Sequence, residues 1–321
     1  MSQLRLNPLT GRWVAIAAER ASRPGDFAPP LDSPRPHLRC PFCPGHEEET
    51  PPALETYGRS GDWLVRVVPN LYPAFEGKGE WAVEDLGPVF HQAPGTGIHE
   101  VLVFSPDHRG SWADLDDKQV GLVIAAIRDR MEDHAEQASI RYTQTIVNHG
   151  REAGASLDHP HGQLLGIPFV PDELQAELEG FSARDEPCVL CTTLAEEEDA
   201  GHRVVLADER VTVVCPFWSA TPYEMLILPR HHEAHLAHAA PADLVSTSRA
   251  VRDSLAALGR LVGDVAYNLV FHTAPHHSTD RFHWHVHVLP RLTSAAGFEA
   301  GTGVLINIVA PEQAASDLRR A

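Results

Sequence analysis

Short apolar runs bounded by turn residues alternate along the chain with two long stretches of helical period. Leu64-Val65-Arg66-Val67-Val68 predicts a strand ending at Pro69-Asn70. His99-Glu100-Val101-Leu102-Val103-Phe104 predicts another, ending in Ser105-Pro106-Asp107-His108. Between residues 114 and 137, Leu115, Val120, Val123, Ile124, Ile127 and Met131 recur at helical spacing, which predicts an amphipathic helix packed on the sheet. The extended run Tyr142-Thr143-Gln144-Thr145-Ile146-Val147 leads to Asp158-His159-Pro160-His161-Gly162-Gln163, and residues 167–170 close this half. Residues 171–178 start a helix. Further on, residues 211–214, 224–228, 268–272 and 283–289 read as strands, the last with histidine at alternate positions. Leu244, Val251, Leu255, Leu258 and Leu261 mark a helix over residues 242–261. Near the N-terminus Trp13-Val14-Ala15-Ile16 predicts a short strand, and the prolines of residues 25–39 an irregular loop.

The two halves follow one plan. Each runs Cys-x-x-Cys, strand, a strand ending in Pro-x-His, helix, strand, then His-x-His. The register agrees: 51 residues separate His108 from His159 and His232 from His283, and Asn148 and His272 each lie 11 residues before the later histidine. An internal duplication follows, with its boundary near residues 178–187. The expected fold is α+β, with domains at residues 1–178 and 179–321, each an antiparallel sheet with helices on it.

Composition narrows the partners. The 321 residues are 43% hydrophobic and 22% charged, ordinary values for a globular protein, and long enough for two domains. With 26 Lys+Arg against 44 Asp+Glu, the formal charge of -18 repels polyanions, so no nucleic acid partner is expected. No run of signal-peptide or membrane-spanning character stands out, which places the chain in the cytoplasm and off the membrane.

Histidine, at 20 residues, is in excess, and four of the five cysteines form two Cys-x-x-Cys pairs. In a cytosolic chain that spacing reads as metal ligation, with a dithiol redox role as the competing reading. The duplication groups Cys40, Cys43, His108 and His159 in one half and Cys188, Cys191, His232 and His283 in the other. Two thiolates and two imidazoles form a closed tetrahedral set that suits a structural zinc. If His159 is a ligand, His161 is left free on a strand with Gln163 beyond it on the same face. A rigid neutral imidazole can attack phosphorus and split one transfer into two displacements. Arg20 and Arg23 are candidates to hold the phosphates. The bland alternatives are a satisfied surface His-x-His and a solvated arginine pair.

The sequence resembles the galactose-1-phosphate uridylyltransferase family, a duplicated branch of the histidine triad superfamily. The resemblance rests on Asn7-Pro8-Leu9-Thr10, Arg20-Ala21-Ser22-Arg23-Pro24, Cys40-Pro41-Phe42-Cys43, Pro69-Asn70, Ser105-Pro106-Asp107-His108, Asn148, Ser156 and His159-Pro160-His161-Gly162-Gln163, and covers nearly the whole chain. It implies two tandem half-barrel domains and a nucleotidyltransferase. In that reading His161 takes a nucleoside monophosphate from a nucleotide sugar, releasing a sugar 1-phosphate, and a second sugar 1-phosphate removes it by ping-pong exchange. Gln163 joins His161 as a catalytic position, and Arg20, Arg23, Asn70, Asn148, Ser156 and Gln163 match positions that contact the nucleotide or its phosphates. The resemblance also implies a homodimer with sites completed across the interface. Glu177, His272, His285 and His287 match an iron site of some members.

One stretch departs from the galactose pattern. Gly297-Phe298-Glu299-Ala300-Gly301-Thr302-Gly303 carries glycines where members acting on galactose have a lysine and a glutamate, and is similar to relatives that use inorganic phosphate and an adenine nucleotide sugar. A nucleotide-sugar phosphorylase is therefore the alternative, with UDP- or ADP-hexose as donor and hexose 1-phosphate or phosphate as acceptor. A non-catalytic, zinc-stabilised binding protein is the reading from another class.

Overall fold

The strand-forming runs of both halves enter one continuous sheet. The computed structural model describes residues 2–22, 39–59, 61–79, 81–183, 187–279 and 281–321. The expected proline-rich loop therefore lies outside the described residues except at Arg39.

The chain begins with β1 (Gln3–Leu6) and β2 (Trp13–Ile16). It continues through β3 (Glu55–Arg59), β4 (Asp62–Pro69), a small hairpin of β5 (Glu84–Asp85) and β6 (His91–Gln92), and β7 (Ile98–Val103). Then come α1 (Asp117–Ala135), β8 (Tyr142–His149), β9 (His161–Ile167) and α2 (Asp172–Ser182). The later half holds α3 (Val189–Ala200), β10 (Val204–Ala207), β11 (Val211–Val214), β12 (Met225–Pro229), α4 (Pro241–Val262), β13 (Tyr267–His272) and β14 (His285–Pro290). It ends with α5 (Gly297–Thr302), β15 (Ile306–Asn307) and α6 (Pro311–Arg320).

The main sheet runs β10-β11-β12-β14-β13-β8-β9-β7-β4-β3, antiparallel at every pairing. From its outer edge inwards, each half contributes its first, second, third, fifth and fourth strands. That shared order is what a duplicated unit produces. The halves meet at β8 and β13, where Asn148 faces Asn268 and Val147 faces Leu269. A second, three-stranded sheet joins β1, β2 and β15, tying the two ends of the chain together.

Side chains alternate across the sheet, and each face has its own cover. On one face α1 and α4 lie over Val65, Val67, Leu102, Val147, Leu164, Leu269, Val286 and Val288 in a single apolar core that crosses both halves. Each such aliphatic side chain contributes about 1.5–3 kcal/mol on burial. Helix α1 is shorter than the expected 114–137. Asp116 caps it by accepting from Gln119 N–H, and a short turn at Trp112–Asp114 precedes it. Arg130 of α1 also bonds Glu100 of β7 at 2.6 and 2.8 Å, a buried ion pair that fixes the helix over the strand. On the opposite face lie α2 and α3, Leu226, Leu228 and Phe282, and, apart from these, Cys40, Phe42, Trp63, Val101 and Val103. His161 and Gln163 project from this second face.

Gly162, between them, points into the helix-covered face. A Cβ there would stand 2.9 Å from Phe104 Cζ and 3.0 Å from the Ile146 carbonyl oxygen. Gly162→Ala is expected to lower stability by about 1–3 kcal/mol, the usual cost of overpacking, and to slow any chemistry at His161. An unchanged denaturation midpoint would show that β9 yields without loss.

Candidate active site and metal centres

Strand β9 begins at His161, and the loop before it bends so that His159 and His161 each bond a backbone carbonyl. The ring of His159 donates from Nε2 to Ser105 O at 2.7 Å, leaving Nδ1 toward the cysteines. His161 does the reverse: Nδ1 donates to His159 O at 2.7 Å. Among the described residues Nε2 of His161 has no hydrogen-bond partner, so its lone pair is available. Burial lowers the basicity of this ring, with the His159 carbonyl opposing, and so favours the neutral, nucleophilic imidazole. Phe42 packs against it, ring centroids 5.3 Å apart.

The later half repeats the arrangement. His283 donates from Nε2 to Pro229 O at 2.9 Å, and His285 from Nδ1 to His283 O at 2.8 Å. There the bare Nε2 of His285 is engaged by other side chains: His287 Nε2 lies at 3.1 Å and Glu177 at 3.7 Å. The two copies thus share a backbone and differ in what the second histidine meets.

Both Cys/His sets converge. Cys43 Sγ lies 3.3 Å from His108 Nδ1 and 3.7 Å from His159 Nδ1, Cys40 Sγ is 3.8 Å from His159 Nδ1, and the two Nδ1 atoms are 3.3 Å apart. A tetrahedron with metal–sulfur bonds of about 2.3 Å and metal–nitrogen bonds of about 2.1 Å has edges of roughly 3.4–3.8 Å, so the four donors fit one cation. Cys191 Sγ stands 3.4 Å from His232 Nδ1 and 3.5 Å from His283 Nδ1, and with Cys188 they form the matching group. Burial and the neighbouring Cys40 push the Cys43 thiol up to about 11; a cation between them removes that cost. The surroundings of the pairs differ. Cys40–Cys43 lies in a turn, whereas Cys188 is the N-cap of α3.

Glu177, His272, His285 and His287 make a third converging group. His272 Nδ1 is 3.0 Å from both carboxylate oxygens of Glu177. Burial works against charge on His272, but the Glu177 carboxylate raises its basicity. One carboxylate and three imidazoles fit a divalent first-row metal.

Of the nominated substrate-binding residues, Asn148 and Ser156 line a cleft of about 1080 Å³ that includes His161. Asn148 lies beside His161 because Val147 pairs with Gly162. Its Oδ1 accepts from Asn268 Nδ2 at 2.7 Å, and Asn268 Oδ1 accepts from Arg291 Nε at 2.6 Å. The Asn148 amide nitrogen is thereby left to donate. Gln163 and Asn70 do not line the cleft but lie against His99, with Gln163 Oε1 2.8 Å and Asn70 Nδ2 3.1 Å from His99 Nε2. Arg20 is exposed on a short helix, Ala18–Ser22, after β2 and does not line the cleft; Arg23 lies outside the described residues. The arginines that do line the cleft, Arg39, Arg109, Arg151 and Arg260, were not nominated. Nor were Asn268, Arg291 and His99, whose places depend on strand register.

The site is thus an α+β sheet with a Cys-x-x-Cys/His/His framework in each half and one histidine left bare beside the first. The chain matches the family described as galactose-1-phosphate uridyl transferase, N-terminal domain, over residues 1–171, and a domain family of unknown function over residues 111–320. It belongs to the galactose-1-phosphate uridylyltransferase family. It is 32% identical over 329 residues to an ADP-glucose phosphorylase of Arabidopsis thaliana, covering 99% of this chain and 92% of that protein. It is 29% identical over 335 residues to a galactose-1-phosphate uridylyltransferase of Thermotoga maritima, covering 99% and 98%. The crystal structure of an ADP-glucose phosphorylase from Arabidopsis thaliana with bound ADP-glucose superposes with a TM-score of 0.86 at 30% identity, covering 100% of this chain and 99% of that one. The chain is an enzyme of the nucleotidyltransferase type.

Proposed function

We propose that the protein moves a nucleoside monophosphate from a nucleotide sugar to His161 and on to a sugar 1-phosphate, by ping-pong exchange. The observation that carries this is His161 itself: Nδ1 is fixed on a carbonyl at 2.7 Å and Nε2 is bare. In the first displacement Nε2 forms a bond to the phosphorus next to the nucleoside. The bond from that phosphorus to the sugar-phosphate oxygen breaks, and the sugar 1-phosphate leaves with the electron pair. The ring becomes positively charged, and its Nδ1–H bond to the His159 carbonyl stabilises that charge. The acceptor's phosphate oxygen then attacks the phosphorus, the P–N bond breaks, and neutral His161 returns. In this reading the amides of Asn148, Gln163 and Asn70, with Ser156, donate to phosphoryl oxygens.

A second reading has inorganic phosphate as acceptor and an ADP-hexose as donor. Two observations favour it: the similarity to ADP-glucose phosphorylase, and the glycine-rich α5 and its C-cap, where a Cβ at Gly297, Gly301 or Gly303 would meet nothing within 4 Å, so that open space rather than reaching side chains stands there. Incubation with UDP-glucose or ADP-glucose, followed by intact mass, is expected to show a nucleotidyl adduct whose mass reports the base. Addition of hexose 1-phosphate or of phosphate then identifies the acceptor. Discharge by phosphate alone sinks the first reading and selects the second.

Zinc fills both Cys/His sets in this proposal, as a structural tie, and iron or a similar divalent ion suits the Glu177 group. We read residues 1–178 and 179–321 as the two repeats, the first catalytic. A homodimer in the cytoplasm completes the assignment: Arg20 and α5 stand outside the His161 cleft, and exposed Leu4, Leu6, Trp13, Trp81, Val89 and Phe90 offer apolar surface for a second copy. Among the described residues no helix is long and apolar enough to cross a membrane.

A further inference from the structure

His99 occupies a position that no role above accounts for. It lies on β7, whose Val101 faces Gln163 of β9 and whose own partner is Leu165, so His99 and Gln163 are diagonal neighbours on one face. The backbone N–H of Ala74 donates to its Nδ1 at 3.0 Å. An N–H can only donate, so Nδ1 carries no proton, and the neutral ring must carry its proton on Nε2. That Nε2 stands 2.8 Å from Gln163 Oε1, to which it therefore donates. A flipped Gln163 would need an accepting Nε2, hence a proton on Nδ1 facing the Ala74 N–H, two donors with nothing between them. Asn70, whose own Oδ1 accepts from Tyr72 N–H at 2.9 Å, turns its Nδ2 toward the same Nε2 at 3.1 Å. With the proton on Nε2 these two donors share no hydrogen bond, and the ring is held by the Ala74 N–H, which cannot turn, and by the shorter contact to Gln163. Both amides thus have their carbonyls engaged within the protein.

We propose that His99 is a positioning residue for nucleotidyl transfer: it holds Gln163 so that the amide N–H₂, and not the carbonyl, meets the phosphoryl oxygens. The proposal rests on the transfer reading above. A carbonyl turned toward an anionic oxygen repels it, whereas a fixed amide donor costs no reorganisation during the reaction. His99 acts through Gln163, and this distinguishes it from a residue that merely packs.

The test is a double-mutant cycle on the rate of nucleotidyl-enzyme formation, read by rapid quench and intact mass with ADP-glucose and UDP-glucose. His99→Ala and Gln163→Ala are each expected to slow formation about tenfold, the worth of one hydrogen bond to a charged group. The double variant should be no slower than Gln163→Ala, and His99→Gln, which keeps an N–H donor, should recover part of the rate. Additive losses overturn the proposal. Side-chain ¹⁵N spectra of the wild type are expected to show the His99 proton on Nε2; a proton on Nδ1 overturns it whatever reaction the enzyme performs. A wild type that takes no label from either sugar, with the Nε2 proton in place, fails the transfer reading, and the positioning role of His99 in transfer falls with it.

Discussion

His161→Ala should yield a folded protein that forms no covalent nucleotidyl adduct and whose turnover falls by at least about 10⁴-fold, the scale seen when a covalent nucleophile is removed. The effect is large because the adjacent imidazole cannot replace it. His159 has both ring nitrogens committed, one to Ser105 O and one to the cysteines. The His161 side chain is buried against Phe42 but, among the described residues, makes one hydrogen bond, to a carbonyl two residues away, so its loss leaves the framework intact. Intact mass after mixing with nucleotide sugar and a thermal melt measure the two halves of the expectation. Adduct formation at the wild-type rate in the variant would falsify the assignment of the nucleophile.

Cys43→Ser should release one equivalent of metal per chain and lower stability by several kcal/mol, since a structural site adds its binding free energy to folding. Transfer activity should fall with it, because His159 ties the loop preceding His161 to the Cys40–Cys43 turn. Cys191→Ser should also release one equivalent and lower stability, yet the folded fraction should retain its chemistry, since that site holds His283 and not His159. Elemental analysis alongside single-turnover labelling separates the cases. Wild-type metal content in both variants removes the metal centres from the account.

The repeat was legible because its signature is written in residue types. Cys-x-x-Cys, Pro-x-His and His-x-His recur in register, the two long helices carry the period that their one-sided burial demands, and β4, β7, β8 and β11 to β14 stand out as apolar runs, whereas β1, β3, β10 and β15 do not. Helix α3 was not legible. Its run Glu196-Glu197-Glu198-Asp199 looks like solvated charge, but Glu197 is buried against Arg203, 2.9 Å from both carboxylate oxygens. That partner lies beyond the helix, and no local pattern announces it. His99 is a sharper example. Its neighbours in sequence say only strand, while its role follows from the alignment of β7 with β9 and from a backbone N–H of the 70–75 turn. Cross-strand register leaves no trace in one sequence. The same holds for Asn268, which bonds Asn148 of the other half.

The seam between β8 and β13 has a consequence for how such a protein can change over generations. A duplicated pair usually frees one copy to drift, to be trimmed, or to be traded for another module. Here the later copy has its second histidine engaged by His287 and Glu177, yet it cannot be discarded. Removing it would strip β8 of five backbone pairings, leave an open strand edge ready to aggregate, and release the Asn148 amide from Asn268. The later copy is therefore a wall of the cleft that holds His161, and any selection on that cleft extends to residues more than a hundred positions away.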